Sequence, residues 1–210
     1  MFPKRCPLCG ALGAAPCAEC ARRLGRVTGT VSVAGIASCR PVFVYDEGVR
    51  TLLLALKYRN RRDALAFLAA EIAALVDFGA DVLTWVPTTA ARRRARGFDQ
   101  AELLARGVGR RTGLPVRSLL RRIDGRAQTG QDALARREGP EFAVRRWRAV
   151  ATSVVLIDDI GTTGATLQAA ARVLTQAGWP EIHARPAAWT PRRAPAGEGS
   201  GLPGATLGRF

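Results

Sequence analysis

The sequence holds one histidine, His183, one methionine and two lysines, and only 6% of its residues are aromatic. A single imidazole excludes a Ser-His-Asp set built on any second histidine and leaves no histidine pair for a metal. His183 itself is expected in or beside a late strand rather than in a site. No GxxxxGK(S/T) run is present to hold a nucleotide, and no internal repeat is visible. No uncharged stretch exceeds 13 residues, the longest being Cys6 to Ala18 and Val27 to Cys39, whereas a membrane-spanning helix needs about 20. The first of these follows Lys4 and Arg5 as a secretory core would, but Pro7, Gly10, Gly13 and Pro16 break its helix. The chain is therefore read as cytoplasmic, with no membrane insertion.

What is present in excess is arginine. Lys plus Arg number 32 against 17 Asp plus Glu, a formal charge of +15 on 210 residues that are 48% hydrophobic and 23% charged. Such a composition is globular, and a chain so basic seeks anions. The excess is local: residues 87–150 carry 16 basic and 6 acidic groups, whereas 41–86 and 151–190 each sum to −1. A site is a better account of that window than general solubility, although Arg92 to Arg96 also fits a solvated helix face.

Cysteine occurs at 6, 9, 17, 20 and 39 and nowhere later. Cys6, Cys9, Cys17 and Cys20 form two CxxC knuckles, and each knuckle turns two thiolates toward one ion. Four make the closed tetrahedral shell of a structural zinc site. The alternative is chance placement of small thiols, and Cys39 is read that way, as a buried thiol. Residues 1–40 have few large apolar side chains, so a metal supplies the stability of this module.

From residue 41 to 190 the pattern alternates strands and helices, the signature of an α/β domain with a mostly parallel sheet flanked by helices. Val42 to Tyr45 is a short strand, and Asp46 caps a helix through Leu52, Leu53, Leu56 and Tyr58. Leu65, Leu68, Ala69, Ile72 and Val76 recur at helical spacing. Val82 to Val86 is a strand ended by Pro87, and Asp99 with Glu102 forms a capping box. Residues 121–141 lose periodicity and read as a long loop. Val154 to Ile157 is a central strand, a helix follows through Ala177 and stops at Gly178-Trp179-Pro180, and Ile182 to Trp189 supplies a last strand. Residues 191–210 are Pro- and Gly-rich and read as a flexible tail.

The chemistry concentrates in Val154-Val155-Leu156-Ile157-Asp158-Asp159-Ile160-Gly161-Thr162-Thr163-Gly164-Ala165-Thr166. Buried residues deliver two carboxylates to the C-terminal edge of a strand, where open α/β sheets bind ligands. Adjacent carboxylates there accept hydrogen bonds from a vicinal diol. The Gly- and Thr-rich loop that follows opens a helix, and its N–H groups and hydroxyls suit a phosphate dianion. Diol and phosphate at that separation describe ribose 5-phosphate. The first half alone could also be a Walker B strand, which would leave the glycines and threonines unexplained.

This run resembles the 5-phosphoribosyl-1-diphosphate (PRPP) signature of type I phosphoribosyltransferases. In order come the CxxC knuckles, Leu56-Lys57-Tyr58, Val86-Pro87, Arg96-Gly97-Phe98-Asp99-Gln100, Arg121-Arg122, Gln128-Thr129, Gln131, Arg136-Arg137 and that signature. Together they are similar to the ComF family, bacterial phosphoribosyltransferase-like proteins of which some are linked to DNA uptake in natural competence. The resemblance implies a type I phosphoribosyltransferase fold after the zinc module. It implies that Asp158 and Asp159 hold the ribose hydroxyls and Gly161, Thr162, Thr163, Gly164, Ala165 and Thr166 the 5-phosphate. Pro87, Thr88, Thr89 and Arg92 then stand in the pyrophosphate-binding loop, and Arg121, Arg122, Gln128, Arg136 and Arg137 in the flexible loop that closes over PRPP. Mg2+ arrives largely with the substrate. Three features depart from the family: Thr88-Thr89 replaces Leu-His, Asp99 replaces Asn, and Gly139 stands where Asn is common. The first bears on turnover more than on PRPP binding.

The acceptor of a phosphoribosyl group is not legible. The second reading is a binding protein for single-stranded DNA, working with competence or DNA-processing proteins, whose basic window meets a phosphate backbone. Only Phe98, Phe142 and Trp147 lie in that window, which supports base stacking poorly.

Overall fold

A computed structural model of the chain describes residues 5–56, 62–77, 79–123, 140–145 and 152–190. Its centre is strand β6, Ser153–Gly161, which pairs in parallel with β3, Val82–Trp85, on one side and with β7, Glu181–Trp189, on the other. Four apolar residues in succession, Val154 to Ile157, are wholly buried, as a strand covered on both faces requires. Along the far edge of β7 run two short parallel strands, β1, Ser38–Cys39, and β2, Phe43–Val44. Arg40 and Val42 also donate to the Ala184 and Pro186 carbonyls. The pairing is nearly continuous and is interrupted at Pro41, which has no N–H to give.

Helices cover both faces. On one lie α2, Glu47–Ala55, α3, Arg62–Ala73, and α5, Gln100–Thr112, whose Leu52, Leu68, Ile72 and Leu104 pack on Leu83, Val155 and Ile157. On the other lie α6, Ala165–Gln176, and a two-stranded antiparallel hairpin of β4, Leu120–Ile123, and β5, Glu141–Val144. There Leu167, Leu174, Leu120 and Phe142 meet Val154 and Leu156. The hairpin corrects the expectation of a loop over 121–141 at both of its ends. Arg121 and Arg122 occupy a strand whose burial alternates, and two adjacent arginines hide that period in the sequence. Gln128, Thr129, Gln131, Arg136, Arg137 and Gly139 lie outside the described residues, as do Lys57, Tyr58, Trp147 and the expected tail 191–210.

Local signals account for most boundaries. Asp46 accepts from the Val49 N–H at 2.8 Å and starts α2. Gly97 and Gly113, both at φ +77°, end α4, Ala90–Arg96, and α5 in the left-handed conformation that glycine adopts freely. The start of β6 is held by Asp81, whose Oδ2 accepts from the N–H groups of Ser153 (2.9 Å) and Thr152 (2.7 Å). Those hydrogen bonds hold its carboxyl below the usual carboxylate range.

One cation lies inside the core. Arg185, in β7, has a fully buried side chain. It donates to the carbonyls of Leu75 (2.6 Å), Ser38 (2.7 Å) and Ala184 (2.7 Å) and to the Asp77 carboxylate. A buried guanidinium is tolerable only when its donors are matched in this way. His183 also lies in β7, its Nε2 3.2 Å from Glu181.

Candidate functional site: a strand-edge cavity and a cysteine cluster

The C-terminal ends of β3 and β6 open into a cavity of about 430 Å³. From β6 come Asp158 and Asp159, each folding an Oδ1 back onto the next backbone N–H at 2.8 Å. Asp158 is 6% exposed. Burial, and then the neighbouring Asp159 carboxylate, push its carboxyl well above the ordinary range. Such a group welcomes hydroxyl donors or a cation, either of which offsets the cost of its charge. Thr162 and Thr166 line the same cavity from the loop and the first turn of α6.

The loop between β6 and α6 is built on two glycines that have different reasons to be there. At Gly161 a Cβ would lie 2.2 Å from the Trp189 ring, so the position is closed to any side chain. Gly164, at φ +84°, is the N-cap of α6, and a Cβ there would meet Val33 at 3.1 Å. The twelve-residue helix, which has no side-chain cap at Gly164, directs its N-terminal dipole at the loop. Thr163 is exposed and does not line the cavity, its Oγ1 accepting from the Ala165 N–H at 3.3 Å.

Across the cavity stands the turn after β3. Pro87, Thr88 and Arg92 line it, while Thr89 caps α4 by accepting from the Arg92 N–H at 3.2 Å. Arg122 reaches the cavity from β4 with its guanidinium 5.7 Å from the Phe142 ring centre. Arg121 alternates to the exposed side of the hairpin and does not line the cavity.

Sequence reasoning missed part of the wall. Tyr45, Arg50, Leu53 and Leu54 enter from β2 and α2, and Arg96 and Gln100 from the α4–α5 corner. Arg96 donates to Gln100 Oε1 at 3.0 Å, and Gln100 Nε2 to the Leu53 carbonyl at 2.8 Å, which ties that corner to α2. Only the fold brings α2 beside β6; the signal available in the sequence was Arg50 near the start of a helix that follows an edge strand. Four arginines, Arg50, Arg92, Arg96 and Arg122, thus line a cavity that also holds the carboxylates of Asp99, Asp158 and Asp159, an arrangement suited to an anionic ligand that also presents hydroxyls.

The four cysteines converge as their spacing predicts. The sulfurs of Cys6, Cys9, Cys17 and Cys20 all lie within 4.8 Å of one another. Cys9 and Cys17 are 3.7 Å apart, close to the roughly 3.8 Å that tetrahedral bonds of about 2.3 Å to one zinc ion dictate. The Cys17 N–H points at Cys6 Sγ, 3.4 Å away. Burial opposes ionisation of Cys6, yet the backbone N–H groups of Cys17, Cys9 and Leu8 outweigh it and lower the thiol to about 6. Burial and then the sulfurs of Cys17, Cys9 and Cys6 push Cys20 up to about 12. Four sulfurs this close can all ionise only around a cation, and the set could hold a metal such as zinc. Cys39 is buried away from them, as expected, its thiol pushed up to about 11 by burial. Among the described residues no other group of three or more His, Cys, Asp or Glu side chains converges in this way. Asp158 and Asp159 are then two carboxylates without a cage, which fits Mg2+, an ion that binds through one or two carboxylates plus substrate phosphates.

No helix among the described residues is long and apolar enough to cross a membrane.

No family model matches the chain. Among curated proteins it is similar to competence protein ComFC of Bacillus subtilis, 29% identical over 180 residues, which is 82% of this chain and 72% of that protein. It is also similar to competence protein ComFC of Streptococcus pneumoniae, 26% identical over 151 residues, 69% of this chain and 65% of that one. Among solved structures it is similar to an allosteric regulatory enzyme of purine biosynthesis, with TM-score 0.43 and 22% identity, over 64% of this chain and only 30% of the enzyme. A purine phosphoribosyltransferase from Pyrococcus horikoshii is similar with TM-score 0.33 and 16% identity, over 71% of this chain and 85% of that one. A hypothetical protein from Neisseria gonorrhoeae with bound ppGpp gives 0.40 and 10%, over 77% of each chain. Over most of its length, then, the chain is a homologue of curated competence proteins named ComFC, in agreement with the ComF-family resemblance of its motifs.

Proposed function

We propose that this chain is a phosphoribosyltransferase-like protein that binds PRPP with Mg2+ in the strand-edge cavity and carries a structural zinc ion on its four N-terminal cysteines. The observation that carries this reading is the convergence on one cavity of Pro87, Thr88 and Arg92 with Asp158, Asp159, Thr162 and Thr166, which lie some 70 residues further along the chain. In this reading Asp158 and Asp159 accept from the ribose hydroxyls, and the loop 161–166 surrounds the 5-phosphate. The turn 87–92 and Arg122 face the diphosphate. Arg121, Gln128, Arg136 and Arg137 belong to the segment that closes over the ligand. Mg2+ supplies neutralisation of the diphosphate charge.

Transfer to an acceptor breaks the bond from C1 to the diphosphate oxygen, whose electron pair leaves with the diphosphate. The acceptor's lone pair forms the new bond at C1, and its proton passes to solvent. The protein's part is to align the two reactants, to neutralise the departing anion with guanidinium groups and to keep water from an oxocarbenium-like centre. A cytoplasmic setting belongs to the same proposal.

A second reading is favoured by the exposed Arg92, Arg93 and Arg94 of α4 and by the competence proteins among its relatives: the chain binds single-stranded DNA through its phosphates. Calorimetry with PRPP and Mg2+ on the zinc-loaded protein separates the two. The PRPP reading expects saturable binding that Asp158→Asn with Asp159→Asn abolishes, and native protein giving no heat sinks it. The DNA reading expects an affinity that falls steeply with added salt and ignores that double substitution.

A further inference from the structure

Asp99 is 3% exposed at the start of α5, and its carboxylate has two separate duties. Oδ1 accepts from the N–H groups of Ala101 (3.1 Å) and Glu102 (3.4 Å), the ordinary cap of a helix. Oδ2 turns the other way and accepts from the N–H of Thr88 at 2.8 Å, eleven residues back in the turn after β3. Both oxygens therefore meet N–H donors. An asparagine would cap the helix equally well, but whichever way its amide turned, an NH2 would face a backbone donor.

We propose that Asp99 is a positioning residue that fixes the turn 87–89 in the shape that receives the diphosphate. The inference rests on the PRPP reading, because it takes that turn as the diphosphate side of the cavity. Held by Asp99 at Thr88 and by the α4 cap at Thr89, the turn is fixed on both sides of one peptide unit. The corner that carries Asp99 is itself anchored, since Gln100 donates to the Leu53 carbonyl of α2. The Thr88 N–H is committed to Asp99, so Asp99 acts on the ligand through the placement of Pro87, Thr88 and Arg92.

Charge alone argues the opposite way and makes the idea testable. Asp99 lines the same cavity as Asp158 and Asp159, so removal of its charge should by itself attract an anion more strongly. The experiment is calorimetry, with Mg2+, of inorganic pyrophosphate and separately of ribose 5-phosphate, on wild type, Asp99→Asn and Asp99→Ser. Serine keeps the α5 cap but is too short to reach Thr88, so it serves where Asn misfolds. The expected result is a fall of about tenfold in pyrophosphate affinity, the scale of losing one charge-assisted hydrogen bond, with ribose 5-phosphate binding unchanged. Unchanged or tighter pyrophosphate binding in the variants overturns the proposal, and so does a parallel loss of both ligands. A wild type that binds neither ligand overturns the PRPP reading itself and the proposal with it, and that outcome is read before any variant is made.

Discussion

Gly161 lies against the indole of Trp189, so close that a methyl group on its Cα would sit 2.2 Å from two ring carbons. The contact joins the last residue of β6 to the last residue of β7, neighbours in register across the sheet, and fixes where the loop into α6 begins. Gly161→Ala must displace the indole or the loop. The expected cost is about 1–3 kcal/mol, as for other insertions into a packed core, with loss of ribose 5-phosphate binding. Chemical denaturation and calorimetry measure both; an alanine variant of native stability and affinity would show that the ring yields freely.

Asp158 carries a stability signature that depends on pH. Its carboxyl is raised by burial and by Asp159, so the folded chain holds this proton more tightly than the unfolded one. Below the unfolded value, near pH 4, both states are protonated and no penalty exists. As pH climbs from there through the raised folded value, the folded state loses ground. Asp158→Asn removes that penalty. The ligand-free variant is expected to melt a few degrees above wild type at neutral pH, with the gap closing toward about pH 4. Thermal melts across pH decide it, a lower melting point at pH 7 being the contrary result. On the PRPP reading, the same variant loses its ligand while gaining stability, the exchange expected of a functional site.

The cysteine cluster makes a stoichiometric prediction. Metal analysis should find about one zinc per chain, and Cys6→Ser or Cys17→Ser should remove it and lower the melting temperature. Cys39→Ser, in the sheet, should leave the metal content intact. Full native stability after chelation would show that the thiols fold without an ion.

Arg185 gives a test of the sheet's far edge. Arg185→Met keeps most of the stem but removes the guanidinium donors from the carbonyls of Leu75 and Ser38, of which Ser38 stays in the ladder of β1 with β7. The loss of these hydrogen bonds to a charged group implies a cost of about 1–3 kcal/mol, read as a lower denaturation midpoint. Asp77→Asn should cost less, because Asp77 is half-exposed and Arg185 keeps its carbonyl partners. Equal effects from the two substitutions would contradict this division.

The sequence carried the local parts of this structure well and the long-range parts poorly. Asp158, Asp159 and the loop through Thr166 sit together because one strand, one turn and one helix follow each other without a break, so the motif was also the geometry. The CxxC knuckles converge for the same reason. Tyr45, Arg50, Arg96 and Gln100 reach the cavity only through packing of α2 and α5 on the sheet, which no local pattern encodes. Ser38–Cys39 is too short to show a period of two. Arg185 stood inside an apparent apolar strand, and its partner Asp77 is 108 residues away. Asp99 was recognisable as a cap, but its second oxygen has a partner that sequence spacing alone could not reveal.

Strand β7 imposes an order on how the chain can fold. It touches β6, β1 and β2, yet it is the last described strand to be synthesised. Until about residue 190 has left the ribosome, Ser38–Cys39 and Phe43–Val44 have no parallel partner, and the Leu75 and Ser38 carbonyls have no guanidinium. A growing chain can complete the pairing of β3 with β6 first, whereas the edge next to the cysteine segment waits until β7 has been made. That long-range closure makes the N-terminal segment the part most exposed to misassembly during synthesis.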